Sequence, residues 1–428
     1  MTYTAFITRI KNVRKHPDAD RLQIGECFGN QVIIGMNQKS EDIGIYFPAD
    51  GRLSDEFLTV NNLVRKLDTD GKNIGGLFDV NGKVRTQKLR GEKSDGFFCP
   101  IEYLNYTGID TTKLEVGFAF SEVGGHKICD KFITIKTFQA REKKQREKSK
   151  FINFHEMPDT EQLAYRMDEL KDGMFLVFTE KVHGTSQRSA NSIEEKWSWY
   201  AKFINGIYKR TIIQPERNYN YVCGTRHVVL KDFETHVGFY KENEKFREYA
   251  HNRFVNKLRK GETVYYEIVG YAAENTPIMP SSDNTKLKDK EFIKKYGKIT
   301  NFTYGCHPGQ HEVYVYRISM TNEDGVEIDL SWDAVKHRCD QMGIKYVPEL
   351  FRVLYNNKNT PDSEFLKLCD ILAEGSSTLD SHIREGVVVR SDGTKWNAWK
   401  YKSFSFKVIE GIIKETGVAD REESQETI

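Results

Sequence analysis

Apolar residues in this chain come in strand-length runs, and that limits what it can fold into. Over residues 1–140, Val32-Ile33-Ile34 and Ile43-Gly44-Ile45-Tyr46-Phe47 are separated by stretches rich in Gly, Asn and Asp. Asp50-Gly51, Asp70-Gly71 and Asn81-Gly82 are turn signals, because Asn or Asp followed by Gly tolerates the positive φ of tight hairpins. Many short strands joined by tight turns predict a small barrel or sandwich. The best runs elsewhere, Phe175-Leu176-Val177-Phe178 and Val387-Val388-Val389, fall far short of the roughly 18 residues of a membrane helix. Met1–Arg9 lacks the charged-then-apolar order of a secretory signal. The seven cysteines include no C-x-x-C, so reduced thiols and a cytoplasmic location are expected. Lys plus Arg number 64 against 62 for Asp plus Glu, which excludes a wholesale polycation but permits local basic faces.

A length of 428 residues predicts two or three domains. Residues 141–150, dense in Lys and Arg, read as a basic linker after a β-rich domain at 1–140. Residues 151–405 mix helical patterns (160–170, 240–260, 331–342, 362–374) with apolar strands (174–179, 263–269, 312–318, 386–390). That mixture suits an α+β domain with antiparallel sheets and flanking helices. Residues 406–428 read as one amphipathic helix, with Phe406, Val408, Ile409, Ile412 and Ile413 apolar, fading into an acidic tail.

Chemistry enters with lysine. Lys181-Val182-His183-Gly184 is one of six K-x-x-G matches, the others starting at Lys72, Lys88, Lys93, Lys294 and Lys414. Lys181 differs in directly following an apolar strand and opening a polar segment, which puts its amine at a strand end. Four elements follow in order. Gly224-Thr225-Arg226-His227 offers an arginine in a tight turn. The apolar strand around Glu267 carries a single carboxylate, costly to bury without a partner. Glu385 stands at the mouth of Gly386-Val387-Val388-Val389-Arg390. Trp399-Lys400-Tyr401-Lys402 alternates, so both ammonium groups share one face.

This order resembles the covalent nucleotidyltransferase superfamily of ATP-dependent DNA ligases, RNA ligases and mRNA-capping guanylyltransferases, over about 175–403. The resemblance implies a nucleotidyltransferase (ligase adenylation) fold with Lys181–Gly184 as motif I, the Glu267 strand as motif III, Glu385–Arg390 as motif IV and Lys400–Lys402 as motif V. Motif IIIa falls at Val313–Ile318, where Arg317 replaces a common acid and either Tyr314 or Tyr316 would stack on the base. It further implies ATP as substrate, with Mg2+ or Mn2+ and Glu385 as the metal or amine partner. Lys181 would attack the α-phosphorus as a neutral amine, favoured by Lys400, Lys402 and the metal. Glu267 would accept from the ribose hydroxyls, Arg226 would contact the nucleotide, and Glu180 beside Lys181 would join the nucleotide site.

Within the superfamily, His183 replaces the acid of the DNA-ligase K-x-D-G form, and only 26 residues follow Lys402, too few for the OB domain of DNA ligases and capping enzymes. Both features are similar to RNA ligases, especially those that seal nicks. Val13–Leu22 and Lys88–Gly96 are similar to the tRNA-binding OB-fold module of some aminoacyl-tRNA synthetases, so an N-terminal OB-fold barrel that binds RNA is expected. The whole chain resembles the small family of RNA ligases with such a domain. The expected partner is RNA, as a nicked duplex or as ends to be joined in repair, with no membrane and a monomeric enzyme. A DNA ligase or capping enzyme, and a non-catalytic RNA-binding protein, stand as rivals. Cys306-His307 with His311 lacks a second ligand pair and is set aside as a metal site. Trp197-Ser198-Trp199-Tyr200 reads as hydrophobic packing.

Overall fold

The computed structural model describes residues 3–49, 51–67, 69, 73–90, 92–132, 149–230, 240, 243–356 and 362–410. The basic stretch 141–148, the turn residues Asp50, Asp70 and Gly71, and the tail beyond 410 lie outside them.

The N-terminal part is β-rich, as its turn-punctuated runs require. Four strands pair in the order Phe97–Pro100, Ile43–Phe47, Ala5–Arg9, Ala119–Phe120, and three more in the order Lys11–Lys15, Gln23–Cys27, Asn30–Ile34. The chain passes from one sheet to the other through a single residue, Ile10, which is fully buried. Each sheet has its own core, one around Phe47, Phe57 and Leu104, the other around Ile10, Val32 and Tyr46. The expected closed barrel is not found: no ladder among the described residues joins the two sheets. Strands of five residues or fewer spend their hydrogen bonds on two short ladders, leaving side-chain packing to bridge them.

Beyond residue 150 lie two large sheets and a small two-stranded one, Ser282–Asp283 with Ile299–Thr300. One large sheet has the order Glu161–Gln162, Ala398–Lys402, Gly386–Ser391, Phe175–Lys181, Glu349–Leu354. The other runs Val229–Leu230, Glu216–Gly224, Thr185–Lys196, Glu262–Ala273, His311–Thr321, Glu327–Asp329, with the short strand Thr276–Pro277 added to Glu262–Ala273. Helix Trp332–Met342, capped by Ser331, packs Trp332, Val335, Cys339 and Met342 into the larger core. Helix Asp362–Ala373 covers the smaller sheet through Phe365, Leu366 and Cys369. The N-terminal part docks on this side: Phe28 reaches the core beneath that helix, and the Asn30 amide donates to the Ala164 carbonyl.

Two helical expectations need correction. Residues 160–170 form a short strand and two 3-10 turns, Leu163–Tyr165 and Met167–Glu169, in place of an α-helix. Arg166, between them, is drawn to a φ of −133° while its guanidinium pairs with Glu161 and Glu169. Of the described residues in 240–260, only Lys245–Asn252 are α-helical. In that helix the His251 ring nitrogen Nδ1 lies 2.9 Å from Ser189 Oγ, and burial holds the imidazole down to about 4. Because the folded value is depressed, its neutral form contributes full stability above about pH 6.5 and loses it as pH falls toward about 4. The contribution is on the order of 3 kcal/mol. Urea unfolding midpoints across this window should fall more steeply for the wild type than for His251→Gln. Parallel curves would exclude the histidine as the source.

Candidate active site

Lys181 ends the strand Phe175–Lys181, and four residues on, Thr185 opens the first strand of the other sheet, so the K-x-x-G segment is where the chain crosses between sheets. The glycine of the motif has a steric reason. A Cβ on Gly184 would stand 2.5 Å from the Ile268 carbonyl oxygen, so only glycine lets the crossing chain lie against that strand. The His183 N–H donates to the Tyr304 hydroxyl at 2.6 Å, fixing the segment from its other side. Burial pushes the Tyr304 phenol well up, which keeps it neutral as that acceptor.

Glu385 is fully buried and gathers three basic side chains. Lys181 Nζ lies 2.9 Å and Lys402 Nζ 3.2 Å from its Oε1, and His183 Nδ1 lies 3.4 Å from its Oε2. Register explains the meeting. Lys181 pairs with Gly386 on one edge of the central strand, and Gly386 pairs with Lys402 on the other. A Cβ on Gly386 would come within 2.2 Å of the Tyr401 carbonyl oxygen, so the neighbouring strands close up only around glycine. The His183 ring is held edge-on against Phe302 and Phe406, centroids 4.7 and 4.9 Å away.

In front of this cluster a cleft opens between the sheets, lined in part by Lys181, Ser186, Arg226, Glu267, Tyr316 and Lys400. Tyr316 is the extra residue of a β-bulge: Tyr265 pairs with Arg317 and Tyr266 with Val315, so the ladder's register passes over it. Its hydroxyl sits 2.8 Å from Ser186 Oγ. Tyr314 lies elsewhere, lining a second cavity with Cys306, His311 and Lys345, where burial pushes its phenol up to about 12. Arg226, in the expected turn, donates to the Pro158 carbonyl and lies 3.0 Å from Asp159. Burial opposes the Asp159 charge, yet the Arg226 guanidinium holds that carboxyl below its usual value. Glu180 also lines the cleft, but its side-chain oxygens are engaged elsewhere. Its carboxylate accepts from the Thr378 N–H at 2.9 Å, the Thr378 hydroxyl at 2.6 Å and the Ser377 hydroxyl, so it braces the loop that leads to Glu385.

Arg317, standing where an acid is common, turns from the cleft to Asp329, with N–O distances of 2.6 and 3.1 Å. Sequence reasoning missed Trp396, which lines the cleft while two guanidinium groups, Arg317 and Arg390, lie 5.4 and 5.3 Å from its ring centre. An aromatic in the otherwise polar stretch Ser391–Asn397 just before motif V was the available signal. Arg390 also donates to the Tyr316 carbonyl at 3.2 Å and so supports the bulge from behind. Among the described residues, no group of three or more His, Cys, Asp or Glu side chains could hold a metal.

A lysine at the junction of two antiparallel sheets, backed by a buried carboxylate and a second lysine, defines the class of site. The family is equally plain. The RNA ligase family model matches residues 174–409, more than half of the chain, and the chain belongs to that family. No curated protein sequence matches it. Its fold is similar to that of Naegleria gruberi RNA ligase. The structure of that enzyme with pyrophosphate matches at 16% identity and TM-score 0.55, over 94% of this chain and 97% of the other. A variant with ATP and Mn matches at 17% and 0.56 over 94% and 97%, and one with AMP and Mn at 16% and 0.57 over 97% and 99%. Among the described residues no helix is long and apolar enough to cross a membrane.

Proposed function

We propose that this chain is an ATP-dependent RNA ligase that joins a 3′-hydroxyl to a 5′-phosphate through a lysyl-AMP intermediate, sealing nicks in RNA repair. The observation that carries this reading is the pair of amines on Glu385 at the head of the cleft. Two ammonium groups on one carboxylate oxygen repel each other, so Lys402 favours the neutral, nucleophilic form of Lys181. Lys181 Nζ attacks the α-phosphorus of ATP, the P–N bond forms, the α–β bridging P–O bond breaks and pyrophosphate leaves. The RNA 5′-phosphate then displaces Lys181 from AMP, and the 3′-hydroxyl displaces AMP from the 5′-phosphate. In this reading Tyr316 stacks on adenine, Glu267 accepts from the ribose, and Lys400 and Arg226 face the phosphates. Glu180 acts through its backbone, since its carboxylate is committed to Ser377 and Thr378.

The residues fit a divalent ion held chiefly by the nucleotide's phosphates, with Glu385 as the carboxylate that would approach it, since among the described residues no cluster of three or more His, Cys, Asp or Glu forms a cage. Bound there, Mg2+ or Mn2+ would neutralise phosphate charge as it develops. Residues 151–405 are taken as the catalytic domain, joined by the basic linker 141–150 to an RNA-binding OB-type domain at 1–140. Supporting that assignment, Arg14 and Lys15 lie on the exposed strand Lys11–Lys15.

The test is sealing of four nicked duplexes with RNA or DNA on either side of the junction. Ribonucleotides should matter on the 3′-hydroxyl side, where a 2′-hydroxyl can donate and accept next to the reacting atom, and misalignment is costly in rate. DNA should be tolerated on the 5′-phosphate side. Equal rates on all four would favour a DNA ligase.

A further inference from the structure

The connection between the strands Thr185–Lys196 and Glu216–Gly224 carries an α-helix, Trp199–Tyr208. Helices on a protein surface normally turn their large apolar side chains inward. This one does the reverse. Trp199 is 80% exposed, Phe203 64%, Ile207 61%, Tyr208 60% and Tyr200 50%, and its one buried residue is Ala201. The expectation that Trp197–Tyr200 serve packing is therefore overturned. Trp199, Phe203 and Ile207 stand at i, i+4 and i+8, a single row about 12 Å long. The segment is also built to hold its shape. Ser198 caps the helix by accepting from the Ala201 N–H, and the Asn205 amide clamps the returning chain, accepting from the N–H groups of Ile212 and Ile213 and donating to the Ile213 carbonyl.

Charge says what such a face would meet. From Lys196 to Ile213 the sequence holds Lys196, Lys202, Lys209 and Arg210 and no acid, and all four cations are exposed. Lys196 leans on Glu194 at 3.7 Å, while the other three project from the helix and its C-terminal turn. Rings for bases and cations for phosphates are the two parts of a single-strand platform. A second copy would bring its own cations against these. The helix is tied to the cleft through the chain, since the strand that leads into it begins at Thr185 and carries Ser186. Twelve residues of extended chain separate Ser186 from Ser198, at most about 40 Å.

We propose that the Trp199–Tyr208 helix is a second RNA-binding site, on which unpaired bases of the substrate stack on the order of ten nucleotides from the junction. This rests on the ligase reading for its substrate. The test uses the full chain, as wild type, as Trp199→Ser with Phe203→Ser, and as Trp199→Phe. A labelled 12-nucleotide oligouridylate is titrated by anisotropy, and nicked duplexes with and without an unpaired 12-nucleotide flank are sealed. The double variant should bind the oligonucleotide about tenfold or more weakly, since each lost stack is worth that much. It should lose rate only on the flanked duplex and keep wild-type labelling by ATP, and Trp199→Phe, which keeps a ring at that position, should retain binding. Unchanged oligonucleotide binding in the double variant overturns the proposal. It is equally overturned if the substitutions leave RNA binding intact but abolish self-association in sedimentation, or binding to phosphatidylserine vesicles. The oligonucleotide arm requires no sealing, so a chain that seals nothing yet loses oligonucleotide binding would sink the ligase reading and keep the platform.

Discussion

Lys181→Ala should abolish covalent labelling by ATP while leaving the sealing of chemically pre-adenylylated RNA at least partly intact. No neighbour can take over the attack: Lys402 is 3% exposed and engaged behind Glu385, and Lys400 lies two residues away on the same face of its strand. In the proposed mechanism the final step starts from adenylylated RNA, releases AMP as the 3′-hydroxyl attacks, and needs no lysine nucleophile. Labelling should therefore drop by several orders of magnitude, as when a nucleophile is removed from a covalent mechanism. Mass spectrometry of the protein after incubation with ATP checks this directly. Labelling that survives here but vanishes in Lys294→Ala would mean the nucleophile is the other lysine.

Glu385→Ala should be nearly as damaging, for an electrostatic reason. The carboxylate is the common partner of Lys181, Lys402 and His183 in a buried site. Removing it takes away the negative charge that the two buried amines share, and breaking a buried pair is far costlier than losing an exposed one. The Lys181 amine should swing from its line of attack, and displacements of about 1 Å can cost on the order of 10²-fold in rate. The measurement is the single-turnover rate of enzyme adenylylation, with ATP affinity read separately. Glu385→Gln, which keeps the shape, should recover part of the thermal stability and little of the rate. An adenylylation rate within a few-fold of wild type in Glu385→Ala would remove the carboxylate from the chemistry.

The residues of this site could be picked out along the chain because their types answer chemical demands. An attacking amine must sit at a strand end, an isolated acid in an apolar strand asks for a polar partner, and two lysines two apart on a strand share a face. The pleat alone makes Lys400 and Lys402 co-facial, and the apolar runs around 174–179, 263–269, 312–318 and 386–390 could hardly be anything but buried strands. Which of these side chains meet is a different matter, because it depends on register between strands far apart in sequence. Lys181 and Lys402 converge on Glu385 because Gly386 pairs with both their positions, one 205 residues before it and the other 16 after it. That Tyr316 rather than Tyr314 lines the cleft goes with one bulge, invisible in a run of alternating residues. Glu180 shows the converse: adjacent to Lys181 in sequence, it faces the other way because successive side chains on a strand alternate. Composition likewise could not tell whether Trp199 and Phe203 lie in a core or on a surface. Periodicity puts them on one face of a helix, and only the tertiary structure decides whether anything packs against it.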